Sequence, residues 1–221
     1  IIVVHGGGPR IKRELEKSNI PTQFINGLRV TDKKIINIVE KVLIDFNKDI
    51  VNSLNKKGSK AVSINTKTKN IIEVSPEDEK LGFVGVPKKI NNIVIKDLIK
   101  NNQIPVVAPL GLGGNEQTYN INGDTAAGAI AKSLKSRRLL LMTNVEGVLD
   151  KEKKLITEIS SSKILEMIKD ETITGGMIPK INTCLDSVNN GVRGVVIMDG
   201  RKPHSLLNEL FSDTGAGTLI R

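Results

Sequence analysis

Aromatic side chains make up 2% of the 221 residues, with no tryptophan and one tyrosine. Single-stranded nucleic acids are held by stacking on aromatic platforms, and this chain offers almost none. There is one cysteine, Cys184. An internal disulfide is therefore excluded, a reducing compartment suits the chain, and a position mid-helix among apolar neighbours predicts a small buried side chain rather than a nucleophile. No apolar run approaches the length needed to cross a bilayer. Residues 1–4 are too short for a signal-peptide core. Two phosphate-binding signatures are also missing, the Gly-x-x-x-x-Gly-Lys-Ser/Thr loop and the Gly-x-Gly-x-x-Gly fingerprint of dinucleotide sites. Internal repeats, low-complexity tracts and long linkers are absent as well. A cytoplasmic chain with no membrane partner is expected.

What the sequence does contain is charge: 33 Lys and Arg against 24 Asp and Glu, a formal net charge of +9. The lysines are spread along amphipathic stretches instead of forming one stripe, so a solvated basic surface is expected and no nucleic acid partner. Part of the excess suits anionic substrates. With 38% hydrophobic and 26% charged residues, the length is enough for one large or two small domains with a real core.

Along the chain, short apolar runs alternate with helical periodicity. Residues 1–4 read as a buried parallel strand ending at Gly6-Gly7-Gly8, and Pro9 suits the first turn of a helix to about residue 17. A glycine corner opening a helix gathers backbone N–H groups, which is the chemistry of an anion site. His5, just before it, is either a ligand contact or a strand-end core histidine. Asn26 to Thr31 reads as a turn carrying one cation, Arg29, with Thr31 as the cap of a long helix. That helix places Ile35, Ile38, Val39, Val42, Phe46, Ile50 and Leu54 on one stripe. Arg29 there presents a planar fork able to hold a carboxylate bidentately. Strands are expected over 61–64, 71–74 and 82–86, as a hairpin or lid-like excursion, then a helix over 93–100 and a buried strand over 104–108. A flexible loop is expected over 111–117.

The stretch Tyr119-Asn120-Ile121-Asn122-Gly123-Asp124 follows, with Asp124 as a plausible N-cap for a helix of small residues, 125–134. Asn120 and Asn122 alternate, so an extended run turns both to one face. The second half repeats the alternation, with strands over 138–142 and 195–198 and helices over 160–169, 177–188 and 205–211. Residues 143–149 form a glycine-containing turn at a strand's carboxyl end, where ligands of parallel sheets gather. Gly175-Gly176 opens the helix from which Lys180 projects in the first turn. A cation is disfavoured at a helix N-terminus unless an anion sits there too. The alternation argues a three-layer α/β fold.

The four stretches His5-Gly6-Gly7-Gly8-Pro9, Asn26-Gly27-Leu28-Arg29-Val30-Thr31, Tyr119-Asn120-Ile121-Asn122-Gly123-Asp124 and Gly175-Gly176-Met177-Ile178-Pro179-Lys180, in this order and spacing, resemble the acetylglutamate kinases among the amino acid kinases, and the likeness runs over the whole chain. It implies an α/β, three-layer αβα sandwich with a mostly parallel central sheet, running through an acetylglutamate-binding half (1–135) and an ATP-binding half (136–221). The implied reaction moves the ATP γ-phosphate to the side-chain carboxylate of N-acetyl-L-glutamate in arginine biosynthesis, with magnesium carried by the ATP. By matching motif, Lys180 and Asp124 take catalytic roles. Gly6, Gly7, Arg29, Asn120 and Asn122 take acceptor-binding ones. Asn144, Val145, Glu146, Gly147, Val148 and Leu149, with Thr172, Ile173 and Thr174, match nucleotide-contacting stretches. His204, Glu209 and Gly215 resemble the effector region of arginine-inhibited members. A homodimer or hexamer is implied.

Departures accompany the likeness. Members of the family begin with a strand ending in Lys and a glycine pair, which brings a second catalytic lysine. This sequence opens inside the following strand, so the resemblance implies a fragment with little or no activity alone. Asn144 stands where Asp is usual, and Gly123 where Ala is usual. Residues 63–69 lack the usual glycine-rich loop. Two alternatives stay open, another amino acid kinase and a non-catalytic ligand-binding module of the same fold.

Overall fold

Val3 and Val4 pair in parallel with Val106 and Val107, and the first half of the chain is assembled around that ladder. The computed structural model describes residues 1–114 and 116–221. By contacts they divide into two units, Ile1–Ala127 and Gly128–Arg221.

In the first unit, β1 (Val3–Val4) runs into the glycines, and α1 (Gly8–Lys17) starts with proline in its first turn, where a missing N–H removes nothing from the helix. β2 (Phe24–Ile25) and β3 (Leu28–Arg29) form a two-residue hairpin. Its turn residues Asn26 and Gly27 both have positive φ, the combination that twists with the strands. α2 (Lys33–Lys56) is capped by Asp32, whose carboxylate accepts from the N–H groups of Lys34 and Ile35 at 2.8 Å each. Thr31 is therefore not the cap. Its hydroxyl donates to the Arg29 carbonyl at 2.8 Å. The deepest stripe of α2 is Ile35, Ile36, Val39, Leu43 and Asn47. The expected Ile38 and Val42 are only partly buried, so the helix is rotated from the anticipated face and seats a polar residue in its core.

β4 (Ala61–Ile64), β5 (Ile72–Pro76), β6 (Gly85–Ile90), α3 (Asn92–Lys100) and β7 (Ile104–Val107) follow. β1, β7 and β4 form a parallel sheet in that order. β5 and β6 form the expected hairpin, displaced toward the C-terminus by a 3₁₀ turn at Glu79–Leu81. The loop anticipated over 111–117 is partly strand. β8 (Leu110–Leu112) pairs antiparallel with β9 (Thr118–Asn120), and Asn115 between them lies outside the described residues. Beneath, Ile11 and Leu15 of α1 pack with Ile35, Val39 and Leu43 of α2 and with Ala108 and Leu110. The unit boundary falls within α4 (Gly123–Leu134), whereas the sequence places it after residue 135. Its cap is Asn122, which accepts from the N–H groups of Asp124 at 2.9 Å and Thr125 at 3.1 Å, so Asp124 does not cap.

The second unit holds β10 (Leu139–Thr143), β11 (Glu158–Ile159), α5 (Ser161–Lys169), α6 (Met177–Asn189), β12 (Val195–Asp199), α7 (Ser205–Phe211) and β13 (Gly217–Ile220). The strand order is β10-β12-β13-β11, with β12 and β13 antiparallel and the other pairs parallel. Small residues let α4 and α6 approach closely: a Cβ on Gly128 would stand 2.9 Å from Thr183 Cγ2 and 3.1 Å from Ser187 Oγ. Cys184 on α6 is buried, as its neighbours foretold. Among the described residues no helix is long and apolar enough to cross a membrane.

Replacing Asp32 with Ala removes the cap of the longest helix. Urea unfolding is expected to show a loss of about 1 kcal/mol, the usual size of an N-cap. An unchanged midpoint would return the cap to Thr31.

Candidate functional site

In the first unit the glycine corner has the features of an anion cradle. Gly7 occupies the N-cap of α1 without a side-chain cap. Among the described residues, the N–H groups of Gly6, Gly7 and Gly8 donate to no protein carbonyl or side chain. A Cβ on Gly6 or Gly8 would meet nothing within 4 Å, whereas one on Gly7 would strike Leu43 Cδ2. Only at the middle position would a side chain force a neighbour, Leu43, to shift, and the outer two leave the backbone uncovered. Gly123 abuts this corner: a Cβ there would lie 3.7 Å from Gly6 Cα and from the His5 carbonyl oxygen. That is ordinary contact, so the corner has room for an alanine there.

The other expected acceptor residues converge on the segment before β6. The Phe83 N–H donates to the Thr31 carbonyl at 2.7 Å, and the Asn120 N–H donates to the Phe83 carbonyl at 2.9 Å. The loop carrying Arg29 and the strand carrying Asn120 are thereby tied to one short backbone stretch. Gly82, at φ 68°, makes this possible, because a Cβ would stand 2.5 Å from the Thr31 oxygen. Arg29 is buried. Its Nη1 donates to the Thr22 hydroxyl at 3.1 Å and its guanidinium lies 4.7 Å from the Phe24 ring centroid. Among the described residues no carboxylate pairs with it, and burial pushes its pKa down. A buried guanidinium with one hydroxyl partner retains donors for an oxyanion. Asn122 is committed through its side-chain oxygen to capping α4, and Asp124 stands half-buried in the first turn.

In the second unit the paired ends of β10 and β12 bring two turns together. The Gly200 N–H donates to the Thr143 carbonyl at 2.8 Å, and Lys202 is ion-paired with Glu146. Arg201 grips Asp199 through Nε at 2.9 Å and Nη2 at 2.8 Å, which pushes that carboxyl down to about 2. Asn144 starts the 144–149 turn, and Thr143 Oγ1 donates to its side-chain oxygen at 3.4 Å. The turn itself is held by Thr218, which pattern reading missed. Its buried hydroxyl accepts from the Val148 N–H at 2.8 Å and donates to the Ile156 carbonyl at 2.6 Å. A Cβ on Gly147, φ 152°, would collide with that hydroxyl. Val145 and Leu149 complete the turn, Val148 being buried and Leu149 exposed.

The 172–174 stretch is linked to the same region. Lys151 pairs with Asp170 at 3.0 Å, and the Thr172 hydroxyl donates to Asp170 at 2.6 Å. The Thr172 hydroxyl first, then Lys151, hold the Asp170 carboxyl at about 2. Ile173 is buried, and the Thr174 carbonyl accepts from the Met177 N–H at 3.3 Å. Gly176 is the N-cap of α6, again with no side-chain cap, and Lys180 lies half-buried in the first turn. His204 has φ 60° at the start of α7. Buried Glu209 accepts from Arg138 Nη1 at 2.8 Å and from the Ala216 N–H at 3.0 Å, packed against Gly215. Beside it is a cavity of about 320 Å³ walled by Leu155, Thr157, Lys202, Asn208 and Gly215.

Compared with known proteins, residues 1–199 match the amino acid kinase family. The chain is 60% identical to the acetylglutamate kinase of Pelagibacter ubique (strain HTCC1062), over 100% of this chain and 76% of that protein. It is 49% identical to that of Clostridioides difficile (strain 630), over 100% of this chain and 79% of the relative. Among solved structures, smu.665 from Streptococcus mutans UA159 superposes with a TM-score of 0.86 at 35% identity, covering 99% of this chain and 84% of that one.

His5 carries a pH signature. It is buried, and burial lowers its pKa from 6.5; the Gly6 carbonyl opposes this and Arg10, itself paired with Asp49, adds to the lowering. Above about pH 6.5 the ring is neutral folded or unfolded and contributes no slope. Below it the unfolded chain takes up a proton that the folded chain refuses, so stability falls with pH until the folded-state pKa is passed. Urea unfolding at about pH 7.5 and about pH 5.5 is expected to show a larger loss for the wild type than for His5→Asn. Equal losses would contradict a neutral buried ring.

Proposed function

The chain belongs to the amino acid kinase family, on its acetylglutamate kinase branch, and from that premise we propose how its residues divide the work of phosphorylating N-acetyl-L-glutamate with ATP. The first unit takes the acceptor and the second the nucleotide. The reading is carried above all by the glycine corner, whose three successive N–H groups have no partner in the protein among the described residues. Arg29 supports it as a buried cation with donors to spare.

In this reading Gly6 and Gly7 hold oxygens near the reacting carboxylate, while Arg29, Asn120 and Asn122 fix the rest of the acceptor. The side-chain carboxylate of acetylglutamate is already ionised near neutral pH, so no general base is needed. One of its oxygens bonds to the γ-phosphorus as the bond to the β–γ bridging oxygen breaks. ADP leaves with that electron pair, and an acyl phosphate results. Catalysis of this kind rests on positioning and on positive charge around the phosphoryl oxygens. Lys180 supplies that charge, and Asp124 is the proposed organiser of the catalytic cations. Residues 144–149 and 172–174 contact the nucleotide. Magnesium, brought with the nucleotide, would supply positive charge to its phosphates. A cytoplasmic homodimer or hexamer completes the proposal.

A second ligand, free L-arginine, is proposed for the cavity beside α7: Gly215 of the resembled effector stretch lines it, and Glu209 stands behind that wall, bonded to Arg138 and to the Ala216 N–H. Calorimetry is expected to show arginine binding that weakens in Glu209→Gln. Heat independent of that carboxylate would dismiss the effector role.

Two substitutions separate the acceptor and phosphoryl roles. In the full-length protein, Arg29→Ala is expected to raise KM for acetylglutamate by roughly tenfold or more with kcat little changed, and Lys180→Ala to lower kcat by about a hundredfold or more with KM near normal. Trapping the acyl phosphate with hydroxylamine measures both. Product formed from another amino acid but not from acetylglutamate would transfer the chain to a sister kinase, and binding without any product in the full-length protein would favour the binding-module reading.

A further inference from the structure

The glycine corner rests on a buried polar chain that the proposed chemistry does not use. Asn47, from the middle of α2, is fully buried. Its Nδ2 donates to the Val106 carbonyl of β7 at 2.9 Å and lies 3.1 Å from His5 Nε2. A carbonyl oxygen only accepts, so the group facing Val106 must be the NH2, and the amide cannot be flipped. Its Oδ1 accepts from the Ser63 hydroxyl of β4, which itself accepts from Asn65 Nδ2 at 2.9 Å. With one Nδ2 hydrogen committed to Val106, the other points at His5 Nε2. That nitrogen must then be the unprotonated acceptor, and the ring proton sits on Nδ1. From there it is donated to the Gly6 carbonyl at 2.7 Å. The Phe46 ring packs edge-on at 5.1 Å and closes the remaining side.

The consequence lies one peptide further. The Gly6 carbonyl belongs to the planar unit that also carries the Gly7 N–H, and in a trans peptide the two point in opposite directions. Holding the carbonyl toward His5 therefore turns the Gly7 N–H to the opposite side, away from the ring. Glycines on both sides of that peptide offer no side chain to restrain it. We propose that Asn47 and His5 are positioning residues: Asn47 fixes the His5 tautomer, and His5 locks the Gly6–Gly7 peptide with its N–H presented to the bound anion. The inference rests on the proposed reading that this corner receives the acceptor.

Protein labelled with ¹⁵N tests the two layers separately. Long-range proton–nitrogen spectra of the wild type are expected to show His5 protonated at Nδ1 and bare at Nε2, without any ligand present. A ring protonated at Nε2 would overturn the proposal whatever the substrate. Acetylglutamate affinity, by calorimetry, is then followed through a double-mutant cycle. Asn47→Leu is expected to weaken binding roughly tenfold, the contribution of about one hydrogen bond. His5→Asn keeps a donor near the Nδ1 position that needs no tautomer, so it should bind within a few-fold of wild type. In that background Asn47→Leu should have no further effect. The same tenfold loss in both backgrounds would mean that Asn47 acts only through packing, and the proposal would fail. Should Asn47→Leu not fold, the wild-type ring spectrum together with His5→Gln, which reaches Asn47 but offers no donor to Gly6, decides: affinity kept in His5→Gln overturns the lock. Absence of acetylglutamate binding in the wild type itself would sink the functional reading instead, leaving the ring spectrum to judge the tautomer.

Discussion

The peptide joining Gly6 to Gly7 is anchored by a proton on His5 Nδ1, and that proton is placed by a carboxamide reaching out of α2. A fully buried amide is tolerated only when its hydrogen bonds are made, and Asn47 makes them to β1's end, to β7 and to β4 at once. The three parallel strands and the longest helix therefore share one polar knot, lying under the corner where α1 begins. Apolar packing of Ile11 and Leu15 against Val39 and Leu43 brings the same elements together without choosing a peptide orientation. The polar knot makes that choice. This is the sense in which a buried network specifies one arrangement where hydrophobic contact alone would accept several.

The second unit solves a similar problem with different parts. Its turn at 144–149 must leave the carboxyl end of β10 and return, and the hydroxyl of Thr218 on β13 clamps it from below. Gly147 leaves space for that clamp. Ion pairs between Lys202 and Glu146, and between Lys151 and Asp170, then draw neighbouring turns toward the same strand ends. Exposed pairs of this kind contribute little to stability. Their use is to set loop positions around a proposed nucleotide site.

Much of this was legible in the sequence. Triple glycine before proline, alternating strands and helices, and the order of four short motifs pointed to the fold and the family. What escaped did so for physical reasons. Thr31 and Asp32 are both capable caps, and so are Asn122 and Asp124; which one wins depends on backbone angles that composition does not state. Asn47 was invisible because a hydrophobic stripe is read by its apolar members, and a buried amide at the right phase looks like a surface residue. β8 hid inside Leu110–Leu112, too short and too glycine-rich to read as a strand, and it is fixed by pairing with residues across a hairpin. Thr218 carries no local signal at all, since its partners lie 62 and 70 residues away in sequence.

The central claim is that the exposed amides of the glycine corner receive the acceptor. An amide-resolved titration of ¹⁵N-labelled protein with N-acetyl-L-glutamate measures this directly. The account predicts that the Gly6 and Gly7 resonances move, with the Arg29 side chain, along one saturation curve. Saturable binding that leaves both glycine amides unmoved would contradict it.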